Sequence, residues 1–365
     1  MKRLKRLYTG LLSILIIGGL SAQNTVKMSA VRSNDYGVVY SLPKTSITVK
    51  AKATKTTRKA GEFYEYAQQY LNISNPITQD EVIYTLTDIS AETQGIPDKD
   101  KSYQVEFRSN TVAPYVTLTK SGLICAINAD AQFDNVSSAS NTTSAEPEKP
   151  LPNPNSFLSE ETLRAGSKSR QADLIAKQIF TLRETRNSIL TGEADNMPPD
   201  GNAYKLVMER LDTQEKALTS LFIGSESVEN IESSEYTIVP ERKNIEKQVI
   251  FRFSRRLGFV RSDDLSGAPA YLHLTSKEAL RDAPILSPKE EKELEKKFSK
   301  GIIFNVPSKA TLEVEFGNKD WVSKSCDIVQ FGTQDVLTPQ MFDNNKQPIK
   351  VIFYPDLGAI KQIIQ

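Results

Sequence analysis

The sequence predicts an α+β fold in which two β-rich modules, candidates for an internal duplication, flank a long antiparallel helical hairpin. Within residues 169–222, apolar side chains recur at three- and four-residue spacing on either side of one compact turn, which is typical of two amphipathic helices. The short connection, residues 191–201, makes these helices antiparallel neighbours. Apolar and polar residues alternate on both sides of this stretch, which indicates strands with one buried face.

The N-terminus has the layout of a secretory signal peptide, predicted over residues 1–22. Four basic residues within 1–6 precede an apolar run at 11–20, and Ser21 and Ala22 offer a small-residue cleavage site. The run is about half of the roughly 20 residues that a membrane span needs, so we expect no transmembrane segment after cleavage, and an uncleaved anchor is the alternative. Loss of the four positive charges takes the net charge of the 365-residue chain from +1 to −3. A net negative charge does not attract nucleic acid, so we expect no nucleic-acid partner.

The N-terminal β-rich module is predicted over residues 23–128. Its polar connection with Gly95 and Pro97 separates two strands, and Gly122 permits a tight hairpin turn. The predicted elements are a strand at 47–53, a short helix at 63–71, a strand pair of 82–86 with 103–107, and a hairpin of 115–118 with 123–127.

A flexible linker is predicted over residues 129–155, because Ser, Thr, Asn, Pro and Glu dominate this segment. Asn135 and Asn141 match the N-glycosylation pattern, which has meaning only in a eukaryotic source. The helical hairpin is assigned to residues 156–224 and the C-terminal β-rich module to residues 225–365. Strands of that module are predicted at 236–238, 249–253, 270–274, 302–304 and 312–316, with a hairpin of 351–353 and 359–363.

A charged helix is predicted over residues 288–300. Ser287 and Glu290 have the spacing of a capping box, and Gly301 stands where a C-terminal cap belongs. We expect this helix to pack mainly through Leu294 and Phe298.

Two parts of the sequence resemble each other. Residues 40–43, Tyr-Ser-Leu-Pro, are similar to residues 304–307, Phe-Asn-Val-Pro, and residues 122–127 align without a gap on residues 358–363. Each half then has the order strand, short helix, hairpin, with the second helix at 336–342. In this hypothesis the strand pair of the first half is an insertion. Chance similarity of short apolar strands is the alternative.

The chain contains one histidine, His273, in a predicted apolar strand. A metal site would need further ligands, and neither cysteine is close in sequence. The chain has no Gly-x-Ser-x-Gly nucleophile motif, and it has neither of the glycine-rich motifs Gly-x-x-x-x-Gly-Lys and Gly-x-Gly-x-x-Gly. We therefore predict no catalytic residue, no metal ligand and no cofactor.

The two cysteines are Cys125 and Cys326. They could form one disulfide that closes a very long loop if the chain reaches an oxidising compartment. We favour the alternative that they are two small buried residues in strands.

Two charged clusters are candidate ligand sites. Glu193, Asp195 and Asp200 lie close together in the predicted interhelical turn. One possibility is that these carboxylates bind calcium. The other is that the turn residues cap the helices, with Gly192 ending the first helix and Asp200 or Asn202 starting the second. The second cluster could bind an acidic ligand or form a solvated face. It consists of Arg252, Arg255, Arg256 and Arg261.

A polar seam is predicted between the two long helices. Arg183 and Arg186 lie near the apolar stripe of the first helix, and Arg210 and Gln214 near that of the second. Because a buried guanidinium needs a partner, we expect an acidic residue to pair with them. The candidate partners are Glu184, Glu209 and Glu215.

Several motifs resemble those of a known family: Tyr40-x-Leu-Pro-Lys-Thr, Gly61-x-Phe-x-x-Tyr-Ala67, Leu182-Arg-Glu-x-Arg186, Met197-Pro-x-Asp-Gly201, Phe251-Arg-Phe-Ser254, Asp264-Leu-Ser-Gly267 and Gln330-Phe-Gly332. Together they are similar to domain-of-unknown-function family 4831, uncharacterised secreted proteins of Bacteroides-type bacteria. The resemblance runs from about Tyr36 to the end of the chain, apart from the linker. It implies a Gram-negative envelope protein, and it implies no known activity, cofactor or catalytic residue.

These observations predict an exported cell-envelope protein of unknown biochemical activity, acting as a non-enzymatic binding or assembly module. Its expected location is the periplasm, with the cell surface as the alternative. An envelope protein or a glycan is the expected partner. The competing hypothesis is a glycan or peptide hydrolase with two paired carboxylates, one of which would have a raised pKa.

Overall fold

The computed structural model describes residues 23–27, 37–107, 116–129, 151–194, 201–280, 287–299, 301–338 and 349–364. In this part of the chain antiparallel sheets are combined with helices, which confirms the predicted α+β class. The predicted signal peptide, residues 1–22, and most of the predicted linker, residues 130–150, lie outside it. No helix among the described residues is long and apolar enough to cross a membrane.

Strands dominate both ends of the described chain. The strands are β1 (Gln23–Lys27), β2 (Val38–Lys59), β3 (Glu81–Phe107), β4 (Val116–Leu118), β5 (Ile124–Ile127), β6 (Ser225–Glu232), β7 (Tyr236–Ile238), β8 (Ile245–Ser254), β9 (Gly258–Val260), β10 (Ala268–Ser276), β11 (Ile302–Phe316), β12 (Lys319–Leu337), β13 (Lys350–Tyr354) and β14 (Ala359–Ile364). The helices are α1 (Ala67–Leu71), α2 (Glu160–Arg164), α3 (Lys168–Thr191), α4 (Asn202–Ile223) and α5 (Pro288–Phe298).

The first sheet is built on one long antiparallel pair, β2 and β3, which we name the first ribbon. Side chains of β2 alternate between the two faces, so that Ile47, Val49 and Ala51 are buried on one of them. β1 pairs with β3, and β6 and β7 pair with the other side of β2. The predicted strand at 47–53 is therefore the middle of a much longer strand.

The predicted pairing of 82–86 with 103–107 is wrong. These segments are the two ends of the single strand β3, and each of them pairs with β2. Gly95 and Pro97, taken as turn residues, lie within β3 beside an irregularity in the pairing between Ser41 and Pro43. A proline is tolerated in a strand at such an irregularity, because the ladder hydrogen bonds are already interrupted there.

The second sheet has the order β12-β11-β10-β8-β9 and faces the first. β11 and β12 form a second long pair, the second ribbon. Leu272 and Leu312 of this sheet belong to one buried cluster with Ile47 and Val49 of the first sheet, so the two sheets share a core. The helix predicted at 336–342 is wrong at its start, because Val336 lies in strand β12. Residues 339–342 lie outside the described range.

The third sheet has the order β14-β13-β5-β4. β4 and β5 form the first hairpin, β13 and β14 form the second hairpin, and β5 pairs with β13. Both hairpins were predicted from their glycine turns, and Gly122 and Gly358 have positive φ angles of 82° and 62°. This sheet combines strands from before and after the long helices, as does the first sheet through β6 and β7.

α3 and α4, named here the helix pair, pack against the connection between β2 and β3. Ile175 and Leu218 are fully buried in one cluster with Phe63 of that connection. Gly192 ends α3 in the left-handed conformation that the sequence predicted. The predicted capping of α4 by Asn202 is wrong, because Gly201 is the N-cap residue and no side chain caps the helix there; the other candidate, Asp200, lies outside the described residues.

α5 begins with the predicted capping box of Ser287 and Glu290. Its C-cap is Ser299, so the expected cap at Gly301 is wrong. Gly301 instead lies where a Cβ would be 2.1 Å from the carbonyl oxygen of Leu337. Of the two expected packing residues, Leu294 is 44% exposed, whereas Phe298 packs against a buried cluster.

Candidate functional site

The single histidine lies on the surface of the second sheet. His273 Nε2 is 3.6 Å from Glu315 Oε2 on the neighbouring strand, and both side chains are partly exposed. Among the described residues no group of three or more His, Cys, Asp or Glu side chains could hold a metal ion. His273 is thus a residue of the sheet surface with one acidic neighbour.

The acidic interhelical turn is described only at its start. The backbone N–H of Glu193 donates to the carbonyl of Ser188, which completes the C-terminal cap of α3. Asp195 and Asp200 lie outside the described residues.

The four arginines around β8 do not form one binding site. Arg252 donates from Nε to the carbonyl of Ser262 and from Nη1 to that of Gly267, so it holds the following loop in place. Arg261 pairs instead with Asp263, at an exposed position. Arg255 and Arg256 are exposed at the turn after β8.

The helix pair has the expected polar seam, with one carboxylate at its centre. Glu215 of α4 accepts a hydrogen bond of 2.6 Å from Arg183 Nε and one of 2.5 Å from Arg186 Nη1. Its side chain is only 12% exposed. The other candidate partners, Glu184 and Glu209, are exposed, as is Arg210.

The paired-carboxylate hypothesis requires an acid with a raised pKa. In four described carboxyl groups the pKa is instead lowered, because each accepts hydrogen bonds that favour its charged form. They are Glu241, Asp264, Glu290 and Asp335. The hydrolase hypothesis has no support in the described part of the chain.

Both cysteines are free. Cys125 is fully buried in β5, and burial raises the pKa of its thiol to about 11. Cys326 is partly exposed in β12, and burial also raises its pKa.

A cavity of ≈ 350 Å³ lies where the three sheets meet. Cys326 and Lys324 of β12 line one side of it, and Tyr354 and Asp356 line another. Gly95 is required at this junction, because a Cβ there would be 2.2 Å from the carbonyl oxygen of Asp356. The Lys324 ammonium donates to the carbonyl of Ala91 on the first ribbon, so it is already used in joining two sheets.

The two ribbons have similar irregularities in their pairing. In the first ribbon Leu42 lies opposite four residues, 98–101, and in the second Pro307 lies opposite four residues, 329–332. Each pairing therefore shifts by three residues within its motif, at the third residue of Tyr-Ser-Leu-Pro and at the fourth of Phe-Asn-Val-Pro. Farther along, Thr87 in the first ribbon and Trp321 in the second are single extra residues.

The two hairpins also share their register. In the first, Thr117 pairs with Ala126 and Leu118 with Ile124, so that Cys125 is skipped. In the second hairpin, Ile352 pairs with Gln362 and Phe353 with Ile360, so that Lys361 is skipped. The skipped residues are aligned with each other in the gap-free match of 122–127 with 358–363.

One backbone hydrogen bond connects ribbon to hairpin in each half. Ser41 N–H donates to Gly122 O at 2.9 Å, and Asn305 N–H donates to Gly358 O at 2.9 Å. The donors occupy the same position in their Tyr-Ser-Leu-Pro and Phe-Asn-Val-Pro motifs, and the acceptors are the aligned turn glycines. The two halves therefore have equivalent geometry at the point where ribbon and hairpin meet.

The halves differ in what covers the outer side of the second hairpin strand. β5 has β13 on that side, with Val351 opposite Ile127, and Ile127 is fully buried. The equivalent strand β14 ends the third sheet among the described residues, and Ile363, aligned with Ile127, is 42% exposed. This open edge of β14 is the candidate functional site, and the sequence analysis missed it. It becomes visible only when the exposed Ile363 is compared with its buried counterpart in the first hairpin, Ile127.

Comparisons with curated proteins and with solved structures found no significant match. A family model described as Domain of unknown function (DUF4831) matches residues 36–361. Because this match spans nearly the whole chain, the protein belongs to the family Domain of unknown function (DUF4831).

Proposed function

We propose that this protein is an exported, non-enzymatic binding or assembly module of the cell envelope, and that it binds an extended polypeptide strand along the outer edge of β14. The observation behind this proposal is the contrast between β5, which β13 covers, and β14, which has no strand on its outer side in the described part of the chain. A sheet edge exposes unpaired N–H and C=O groups and is a template for strand addition.

The composition of β14 supports this role. Its outer residues Gln362, Ile363 and Ile364 are exposed and uncharged, and β-branched side chains are favourable in strands. Proteins usually protect an edge strand with charges or proline, whereas β14 contains only one charged residue, Lys361. Its ammonium lies over the ring of Tyr354 at 5.6 Å, towards β13 within the same hairpin.

The proposal includes two related units, each a ribbon followed by a hairpin, with a long helical hairpin inserted between them. The shared register shifts and the shared ribbon-to-hairpin hydrogen bond support a common origin of the units. The strongest support comes from the hairpins, where the skipped residues Cys125 and Lys361 occupy aligned positions.

Export to the periplasm or to the cell surface of a Gram-negative bacterium is supported by the signal-like residues 1–22. The intact mass of the protein recovered from a periplasmic fraction tests this part. We expect a chain that begins at Gln23. A full-length chain recovered from the cytoplasm would contradict export.

Strand binding is tested with three tagged baits in envelope extracts: the unchanged chain, Ile363→Lys, and Val228→Lys as the control. Val228 is 59% exposed on the edge strand β6 of the first sheet, so both substitutions place a lysine on an exposed edge strand. We expect Ile363→Lys alone to reduce the recovered partner by at least about tenfold, since a buried isoleucine contributes ~1.5–3 kcal/mol. Equal recovery by all three baits, or enrichment of glycan alone, would contradict the proposal.

A further inference from the structure

We propose that the strand bound at the open edge of β14 is β4 of a second copy of this chain, so that copies associate head to tail. This inference rests on the proposed function and names its partner. The third sheet would then continue from one copy into the next, with β14 of one copy beside β4 of the other.

The chain contains its own template for this contact. β5 of the first hairpin accepts β13 of the second hairpin, with Ile127 opposite Val351 and Ala126 opposite Ile352. The contact is antiparallel and well buried, because Ala126, Ile127 and Val351 are all fully buried. It joins the second strand of one hairpin to the first strand of the next.

The correspondence between the two hairpins predicts which residues of β4 and β14 pair between copies. Val116 corresponds to Val351, because each is paired with the matching isoleucine of its own hairpin, Ile127 or Ile363. Repeating the internal contact therefore places Val116 of one copy opposite Ile363 of the other. In the same register Thr117 lies opposite Gln362.

The two edges are available for such a contact. Among the described residues, β4 ends the third sheet on one side and β14 ends it on the other. Just before β14, the turn residue Gly358 accepts Asn305 N–H at its carbonyl oxygen, as Gly122 O of the first hairpin accepts Ser41 N–H. In the first half β13 pairs with the outer side of β5, at Ala126 and Ile127. The corresponding part of β14, at Gln362 and Ile363, pairs with β13 on its inner side and has no strand on its outer side in the described chain.

The geometry distinguishes this contact from a two-fold dimer. A two-fold contact would pair β14 with β14, whereas the internal template pairs unlike strands. Pairing of β14 with β4 is a heterologous interface, because the two copies contribute different strands. Unless the copies close into a ring, every assembly therefore keeps one free β4 edge and one free β14 edge. Association is therefore expected to proceed beyond two chains as concentration rises.

Sedimentation equilibrium of the unchanged chain, Ile363→Lys and Val228→Lys tests association. We expect the average mass of the unchanged chain and of Val228→Lys to rise above that of two chains with concentration. We expect Ile363→Lys to require at least about tenfold higher concentration for the same mass, because a lysine cannot be buried as Ile127 is. A mass of one chain for the unchanged protein at every concentration would overturn the inference.

Site-specific cross-linking tests the register between copies. In a Cys326→Ser background, one preparation carries Thr117→Cys and another carries Gln362→Cys. We expect a short bis-maleimide to link two chains in the mixture and not in either preparation alone. Efficient linking of Gln362→Cys to itself would indicate a two-fold contact and overturn the head-to-tail arrangement.

Failure of this inference can be distinguished from failure of the proposed function. If the unchanged chain stays a monomer while Ile363→Lys still loses a partner in envelope extracts, strand binding holds and self-association is wrong. If the monomer also protects from hydrogen exchange those amides of residues 361–364 that point away from β13, another segment of the same chain occupies the edge, and both proposals are wrong.

Discussion

At the scale of single residues, Glu215 explains how two arginines fit beside the apolar surface of the helix pair. Arg183 and Arg186 are three residues apart on α3, so their side chains lie on one face. Both donate to the Glu215 carboxylate. A carboxylate that is mostly removed from water is stable only when such donors compensate its lost hydration.

Replacement of Glu215 by glutamine is expected to lower the free energy of unfolding by ~1–3 kcal/mol, because two charge-assisted hydrogen bonds lose their anionic acceptor. Urea denaturation followed by circular dichroism measures this change. Glu184→Gln is the matched control on the exposed side of α3, and its effect should stay within about 0.5 kcal/mol. An equal loss in both variants would show that the seam does not depend on Glu215.

At the scale of elements, α5 is attached mainly through its last turn. Leu294 is exposed, whereas Phe298 packs against a buried cluster of the third sheet and its neighbours. Lys297 Nζ lies 2.8 Å from Asp335 Oδ1 on β12. The capping box at the other end stabilises the helix itself and does not connect it to a sheet.

The attachment of α5 should depend on pH. The hydrogen bond from the Lys297 side chain lowers the pKa of Asp335 below its usual value of about 3.9. A lowered folded-state pKa means that the stabilisation is complete above pH of about 3.9 and is lost as pH falls through the lower folded value. Because both side chains are half exposed, its size should be only ~0.2–1 kcal/mol.

Hydrogen exchange of the α5 amides measures this attachment. Protection, corrected for the intrinsic effect of pH on exchange, should fall in acid for the unchanged chain. Asp335→Asn should show the reduced protection already at pH 7 and no further fall. A variant with the same acid dependence as the unchanged chain would exclude Asp335 as the titrating group.

At the scale of the whole molecule, three sheets are joined by contacts between residues far apart in sequence. The buried Tyr40 hydroxyl donates to Ile303 O at 3.2 Å and accepts from Ile303 N–H at 2.8 Å. The backbone N–H of Thr45 donates to Gln330 Oε1, and Gln330 Nε2 donates to the carbonyl of Thr45. These contacts join the first sheet to the second, which contains Cys326, and the hydrogen bond from Ser41 N–H to Gly122 O joins the first sheet to the hairpin that contains Cys125.

Thiol titration at pH 7 should find two free thiols in the denatured protein. In the folded protein Cys125 should not react, because it is fully buried and its pKa is raised to about 11. Cys326 should react slowly, since it is partly exposed with a raised pKa. Cys326→Ser should therefore remove the folded-state reaction. Absence of thiols in the denatured, unreduced protein would show a disulfide and contradict the free state.

A strand or helix could be predicted from the sequence when it had a clear apolar face of its own. The strand at 47–53, both hairpins, and the periodic parts of α3 and α4 were recognised because their alternation is clear. β6 was missed because nearly all its side chains are exposed, and most of β12 because its first half is polar. Their pairing is fixed by neighbouring strands such as β2, where Lys55 and Arg58 face Glu229 and Glu226.

The sequence by itself determined the α+β class, the glycine turns at Gly122 and Gly358, the capping of α3 and α5, and the two similar motifs. These depend on local backbone conformation and on side-chain periodicity, which neighbouring residues in the chain decide. Only the tertiary structure decided that β3 is one strand, that β13 covers β5, and that no strand among the described residues covers the outer edge of β14. Those properties depend on which distant strand pairs with each edge, and a strand's own residues do not specify its partner.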